Sequence, residues 1–179
     1  MNALLRFSRL VDAVSEKISL IANWLVLAAC VISAGNALMR YGFNLSSNAW
    51  LEIQWYLFAG IVMLGAANTL RINGHVRVDV LFSLYGQRTR LWVDLIGGIL
   101  FLLPMAVIIG WLSWPLFANS YAIGEISGNS GGLLRWPVKI LIPLGFLLLT
   151  LQGLSETIKR VAMLRGRLPL DVHYERPAQ

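Results

Sequence analysis

Four long stretches of this chain are almost free of charge. Ile18 to Met39 is a run of 22 uncharged residues, and Trp50 to Leu70 is a run of 21 with Glu52 as its one charge. Leu91 to Phe117 is a run of 27 with Asp94 alone, and Ile140 to Ser155 is a run of 16 with none. The mostly apolar run Leu133 to Lys139 extends the last stretch backwards, since a lysine near a span end reaches the interface on its flexible stem. A hydrocarbon core of about 30 Å takes roughly 20 helical residues. Apolar segments of this length, with 57% apolar and only 13% charged residues overall, exclude an ordinary soluble domain and a disordered chain alike. The expected fold is all-α: an integral membrane bundle of four transmembrane helices in a single membrane domain covering residues 1–179. The spans are expected at about 18–40, 48–71, 90–118 and 133–156, with an amphipathic segment at 1–17 and a tail at 157–179. The third is long enough to tilt or to project beyond the bilayer. The first run is too long, and begins too late, for a cleavable signal peptide.

The basic residues carry the direction of the spans. Arg6, Arg9, Lys17, Arg71, Arg77, Arg88, Arg90, Lys159, Arg160, Arg165, Arg167 and Arg176 fall on one side, and only Arg40, Arg135 and Lys139 on the other. This asymmetry of 12 to 3 predicts that both termini and the middle connection are cytoplasmic. The net charge of +6 is therefore a topology signal spread around the spans, and no continuous nucleic-acid-binding patch is implied. Trp50, Trp92, Trp114 and Trp136 lie near the proposed span ends, where amphipathic rings prefer the interface. The single cysteine, Cys30, excludes an internal disulfide and any multi-cysteine metal site within the chain.

Before the first span, Leu4, Phe7, Val11, Val14 and Ile18 recur at helical spacing. The stripe suits either a surface-lying amphipathic helix or the early start of one long helix. Pro104 and Pro143 are expected to kink their spans, and Gly60, Gly65, Ala66, Ala67, Gly97 and Gly98 to let helices pack closely.

Among common enzyme motifs, HExxH, GxGxxG and the P-loop are all missing. Both histidines, His75 and His173, lie outside the spans, so haem ligation within the bilayer is not expected. The reading is a non-enzyme. Glu52 stands out, because an acid within a span is a candidate proton or cation carrier. It lies only two residues after Trp50, about 3 Å of helix rise, so it falls in the first turn near the headgroups. There it can equally pair locally or face a partner. The connection Arg71-Ile72-Asn73-Gly74-His75-Val76-Arg77-Val78-Asp79 is the most distinctive polar stretch. Gly74 is the expected point of turning. The stretch reads either as a topogenic basic loop or as a docking surface using Arg77 and Asp79. The loop from Ile123 to Leu133 holds four glycines and reads as a flexible connection or a partner surface.

Trp50-Leu51-Glu52 opening the second span, Gly65-Ala66-Ala67 within it, and Gly74-His75-Val76-Arg77-Val78-Asp79 after it, in a four-span layout, resemble the small membrane subunit of tripartite ATP-independent periplasmic (TRAP) transporters, the DctQ-like proteins. The likeness runs over nearly the whole chain. Leu51 and Ile53 flank Glu52 where the family often carries further acids. The resemblance implies a scaffold for a large membrane subunit, which would carry the substrate and sodium sites, and a partnership with a periplasmic substrate-binding protein. It implies organic-acid uptake at the bacterial inner membrane, with lipids as the remaining partners and no cofactor in this chain. Glu52, Arg71, His75, Arg77, Asp79, Glu125, Asn129 and Arg135 are the candidate partner contacts. The competing readings are an autonomous small ion-coupled carrier using Glu52, and an assembly or sensor subunit of another membrane complex.

Overall fold

The computed structural model describes residues 2–45, 47–75 and 85–169. Among them are four helices long and apolar enough to cross a membrane: α1 (Asn2–Phe43), α2 (Asn48–Arg71), α3 (Gln87–Ala122) and α4 (Trp136–Leu164). The amphipathic stretch is not a separate helix. It is the first third of α1, which runs unbroken for 42 residues, or about 63 Å.

Local chemistry sets the helix ends. The Ser47 hydroxyl caps α2 by accepting from the Ala49 amide at 3.3 Å. After each helix one residue takes a left-handed conformation: Asn44, Asn73, Gly124 and Gly166. The next residue's amide then reaches back to an otherwise unpaired carbonyl, as Gly74 does to Thr69 and Glu125 to Ser120. Gly74 is thus not the turning residue after α2. Asn73 is, because asparagine tolerates positive φ and glycine is not required there.

Two helices are interrupted beside prolines. In α3 a π-turn at Gly98–Leu102 precedes Pro104, with the Leu103 amide reaching Gly98 O. In α4 the helix loosens at Ile140, and Pro143, which has no N–H to give, follows three residues later.

α4 is the central helix and packs against the other three. Its approach to α2 is close: a Cβ on Gly145 would lie 2.8 Å from Met63 Cβ and 2.9 Å from Met63 O, so only glycine fits there. The packed face of α1 is Ser8, Val11, Ser15 and Ala22. Of the apolar stripe, Leu4, Phe7 and Val14 are exposed. Small residues bring helices close, whereas bulky ones fill the surface that faces lipid or a partner. Trp24, Phe101 and Trp111 are likewise exposed large side chains within the spans.

The pairing of helices defines two ends of the bundle. Ser8 on α1 meets Ser155 on α4, and Asp94 on α3 meets Arg160, so one end gathers the start of α1, the start of α3 and the last turns of α4. At the opposite end the connection between α3 and α4 folds over the start of α2. These are called below the terminal end and the loop end.

Candidate functional site

Glu52 lies in the second turn of α2, with only 4% of its surface exposed. Its partners all come from the loop between α3 and α4. Oε1 accepts from the Ser127 hydroxyl and from Asn129 Nδ2 at 2.7 Å, and Oε2 accepts from the Leu133 amide at 2.8 Å. A carboxylate holding hydroxyl, amide and backbone donors has its lone pairs largely used.

The loop is shaped to deliver those donors. Ile126 and Leu134 form an isolated antiparallel bridge, Ser127 N donates to Leu133 O at 2.9 Å, and Arg135 N donates to Glu125 O at 2.8 Å. Gly131 takes φ +70° at the return. Gly132 has no room for a side chain, because a Cβ there would fall 2.6 Å from Ser127 Cβ and 2.7 Å from Ser127 O. The glycine-rich connection is therefore a folded hairpin around a carboxylate.

Glu125 forms the second pair at this end. It is hydrogen-bonded and ion-paired to Lys139, with Arg135 Nη1 3.7 Å from its other oxygen. The Lys139 hydrogen bond is the largest cause holding the Glu125 carboxyl below the usual glutamate range, and the charges of Lys139 and Arg135 add to it. A shallow cleft of about 310 Å³ runs between these groups and the aromatic rings of Trp55 and Tyr56. Four of the expected contact residues, Glu52, Glu125, Asn129 and Arg135, are thus brought together here.

Of the other four, Arg71 and His75 lie toward the terminal end. Arg71 closes α2, donating to Asn68 Oδ1 at 2.9 Å and pairing with Glu16 of α1 at 3.5 Å. His75 borders a groove between α1 and α2 that Ser19, Asn23, Gly65 and Thr69 also line. Arg77 and Asp79 lie outside the described residues.

Sequence reasoning passed over the most extensive polar cluster. Gln152 is fully buried in α4: its Oε1 accepts from Ser15 at 2.7 Å, and its Nε2 donates to Asp12 at 2.8 Å and to Glu156 at 3.0 Å. Asp12 also accepts from Ser155 and from Lys159 Nζ at 3.1 Å. Lys159 reaches Glu156 at 2.5 Å. Arg160 donates to Glu156 at 3.1 Å and to Asp94 at 3.4 Å, with Asn73 at 3.4 Å. Gln152, Ser155, Glu156, Lys159 and Arg160 follow one another at three- and four-residue spacing, so they share one helix face. That spacing was the available signal. Lys159 and Arg160 fall in the stretch expected as a tail, and α4 continues through them to Leu164.

The family profile of the tripartite ATP-independent periplasmic transporters, DctQ component, matches residues 29–163. This chain belongs to the DctQ family. It is also 33% identical over 100 residues to a Haemophilus influenzae (strain ATCC 51907 / DSM 11121 / KW20 / Rd) protein named "Putative TRAP transporter small permease protein". That match covers 55% of this chain and 61% of the relative's length. No solved structure matches the chain. The DctQ match contains Glu52, the whole 125–135 loop and the Asp94–Glu156–Arg160 cluster. Ser8, Asp12 and Ser15, which dock the start of α1 on α4, precede it.

Proposed function

We propose that this DctQ chain is the small permease subunit of a TRAP transporter, a static scaffold for a large membrane subunit that works with a periplasmic binding protein. In this reading the complex imports organic acids, sodium coupling belongs to the large subunit, and the chain sits in the bacterial inner membrane. The basic excess around the terminal end supports a reading with that end and both termini in the cytoplasm and the loop end in the periplasm.

The observation that carries the scaffold role is the state of the acids. Every described acidic side chain is already engaged: Asp12 by Lys159, Glu16 by Arg71, Glu52 by the loop, Asp94 by Arg160, Glu125 by Lys139, and Glu156 by Lys159 and Arg160. A carrier needs an intramembrane group that binds and releases its ion. Here the polar groups hold helices and a loop together, and the bulky apolar side chains face outward, as suits a subunit that packs on a larger one.

Reconstitution in liposomes tests the proposal. Uptake is expected when the chain, the large subunit and the binding protein are combined, and is expected to vanish when this chain is left out. Substrate flux through the chain by itself would sink the scaffold reading.

A further inference from the structure

Glu52 does more than close a local contact. Its three donors sit 75 to 81 residues further along the chain, so the carboxylate is the point about which a distant loop is folded. Strand geometry then dictates what the loop shows. Ile126 and Leu134 are bridge partners, and their neighbours Ser127 and Leu133 both bond to Glu52. Directly opposed residues of an antiparallel pair share a face, and adjacent residues take the other. Drawing Ser127 down to Glu52 therefore turns Ile126 and Leu134 outward, where they are 63% and 46% exposed. The tip, Gly128 to Gly131, is exposed as well. The result is a small apolar pair beside an uncharged polar tip, at the loop end of the bundle. It is backed by a buried charge rather than by a core.

A loop of this composition has little of its own to hold it. Between residues 125 and 135 it has three glycines and one isolated bridge, and no apolar side chain among Ser127 to Gly132. Holding such a segment in one conformation before a partner arrives spares the entropy of ordering it during association.

We propose that Glu52 is a positioning residue, a template whose carboxylate sets the surface of the 125–135 loop and so prepares the chain to receive the substrate-binding protein at Ile126 and Leu134. This rests on the functional reading above, which supplies the partner. The template and the partner are separable by experiment.

The test uses Glu52→Gln and Ser127→Ala in the full chain, assembled with the large subunit in liposomes. Two quantities are read: amide hydrogen exchange at Leu133, and uptake as a function of binding-protein concentration. Glu52→Gln is expected to speed Leu133 exchange. It should also raise the half-saturating binding-protein concentration about tenfold, with the maximal rate kept, as for loss of one good charge-assisted contact. Ser127→Ala, which leaves the charge and two of the three partners, should shift both in the same direction by less, and it serves if Glu52→Gln does not assemble. Unchanged exchange in both variants would overturn the template. Faster exchange with an unchanged half-saturating concentration, or a fall in maximal rate alone, would overturn the link to the binding protein and leave the scaffold reading standing. Wild-type uptake indifferent to the binding protein would instead remove the functional reading itself.

Discussion

At the loop end one carboxylate, Glu52, is met by three uncharged donors. At the terminal end three carboxylates, Asp12, Glu156 and Asp94, share Lys159 and Arg160, and Gln152 bridges Asp12 and Glu156. The two solutions fasten different things. Glu52 fastens a glycine-rich loop to one helix, so its loss is felt where the loop is. The terminal network fastens α1, α3 and α4 to one another, so its loss is felt by the bundle. A charge held by neutral dipoles can be removed with its donors free to turn to water at the rim. A charge buried among other charges cannot, because its removal strands the partners.

The largest expected effect comes from Arg160. Its guanidinium is nearly buried and holds both Glu156 and Asp94. Arg160→Met leaves those carboxylates short of a cation and should destabilise the chain by about 3 kcal/mol, lowering the melting temperature in detergent by about 9 °C. Adding Glu156→Gln should recover part of the loss. No recovery would mean that the arginine acts by packing its stem and not by its charge. Gln152→Leu comes next. It keeps the volume but strips Ser15 of its acceptor and Asp12 and Glu156 of a donor, at a cost of about 2 kcal/mol by the same thermal melt. A neutral outcome there would show that the network survives on Lys159 and Arg160 without its amide bridge.

These two ends were unequally legible in the sequence, for a physical reason. Four transmembrane helices follow from the charge-free runs, because the bilayer penalises charge over a fixed length and nothing else needs to be known. Glu52 was visible as the one acid in its run. Its donors were not, since Ser127, Asn129 and Leu133 are joined to it only by the antiparallel return of the chain, and a glycine-rich loop looks the same whether it is loose or wrapped on a carboxylate. The terminal network was hidden by a different ambiguity. A basic residue after an apolar run reads as a topology signal, and Lys159 and Arg160 count toward that asymmetry even while they are paired. The start of α1 is a third case. Its apolar stripe was the conspicuous pattern, yet the packed face is the serine face, because serines at close range can meet the partners that α4 presents.

A pH titration sharpens the comparison at moderate amplitude. The folded-state pKa of Glu125 lies below the ordinary glutamate value of 4.5, chiefly through its hydrogen bond with Lys139. Its stabilising contribution is therefore complete above that value and is lost as the pH falls through the lowered folded pKa. Amide exchange at Arg135, whose N–H bonds to Glu125 O, taken relative to an unstructured peptide at the same pH, should rise as the solution is acidified below the ordinary glutamate value. In Glu125→Gln the loop should exchange faster already at neutral pH, and the acid-dependent part of the rise should shrink. If the wild-type rise persists undiminished in Glu125→Gln, another group governs the loop in acid.

The smallest expected effect is the control that decides whether burial or charge separates the two ends. Glu16 and Arg71 form an ion pair at 3.5 Å on the terminal side, with the same chemistry as Glu156 and Arg160, but the Glu16 side chain is 62% exposed. Water already solvates that carboxylate, so little is gained by pairing and little is lost by removing it. Glu16→Gln should move the melting temperature by less than about 1 °C, and raised salt should abolish even that. Arg71 keeps its hydrogen bond to Asn68 in the variant, so the end of α2 stays closed. A loss in Glu16→Gln comparable to that of Arg160→Met would show that any ion pair at this end carries the bundle. The distinction would then lie in the sign of the charges and not in their burial. A loss confined to Arg160→Met ties the strength of the terminal end to the exclusion of water around α4, the helix on which the other three are packed.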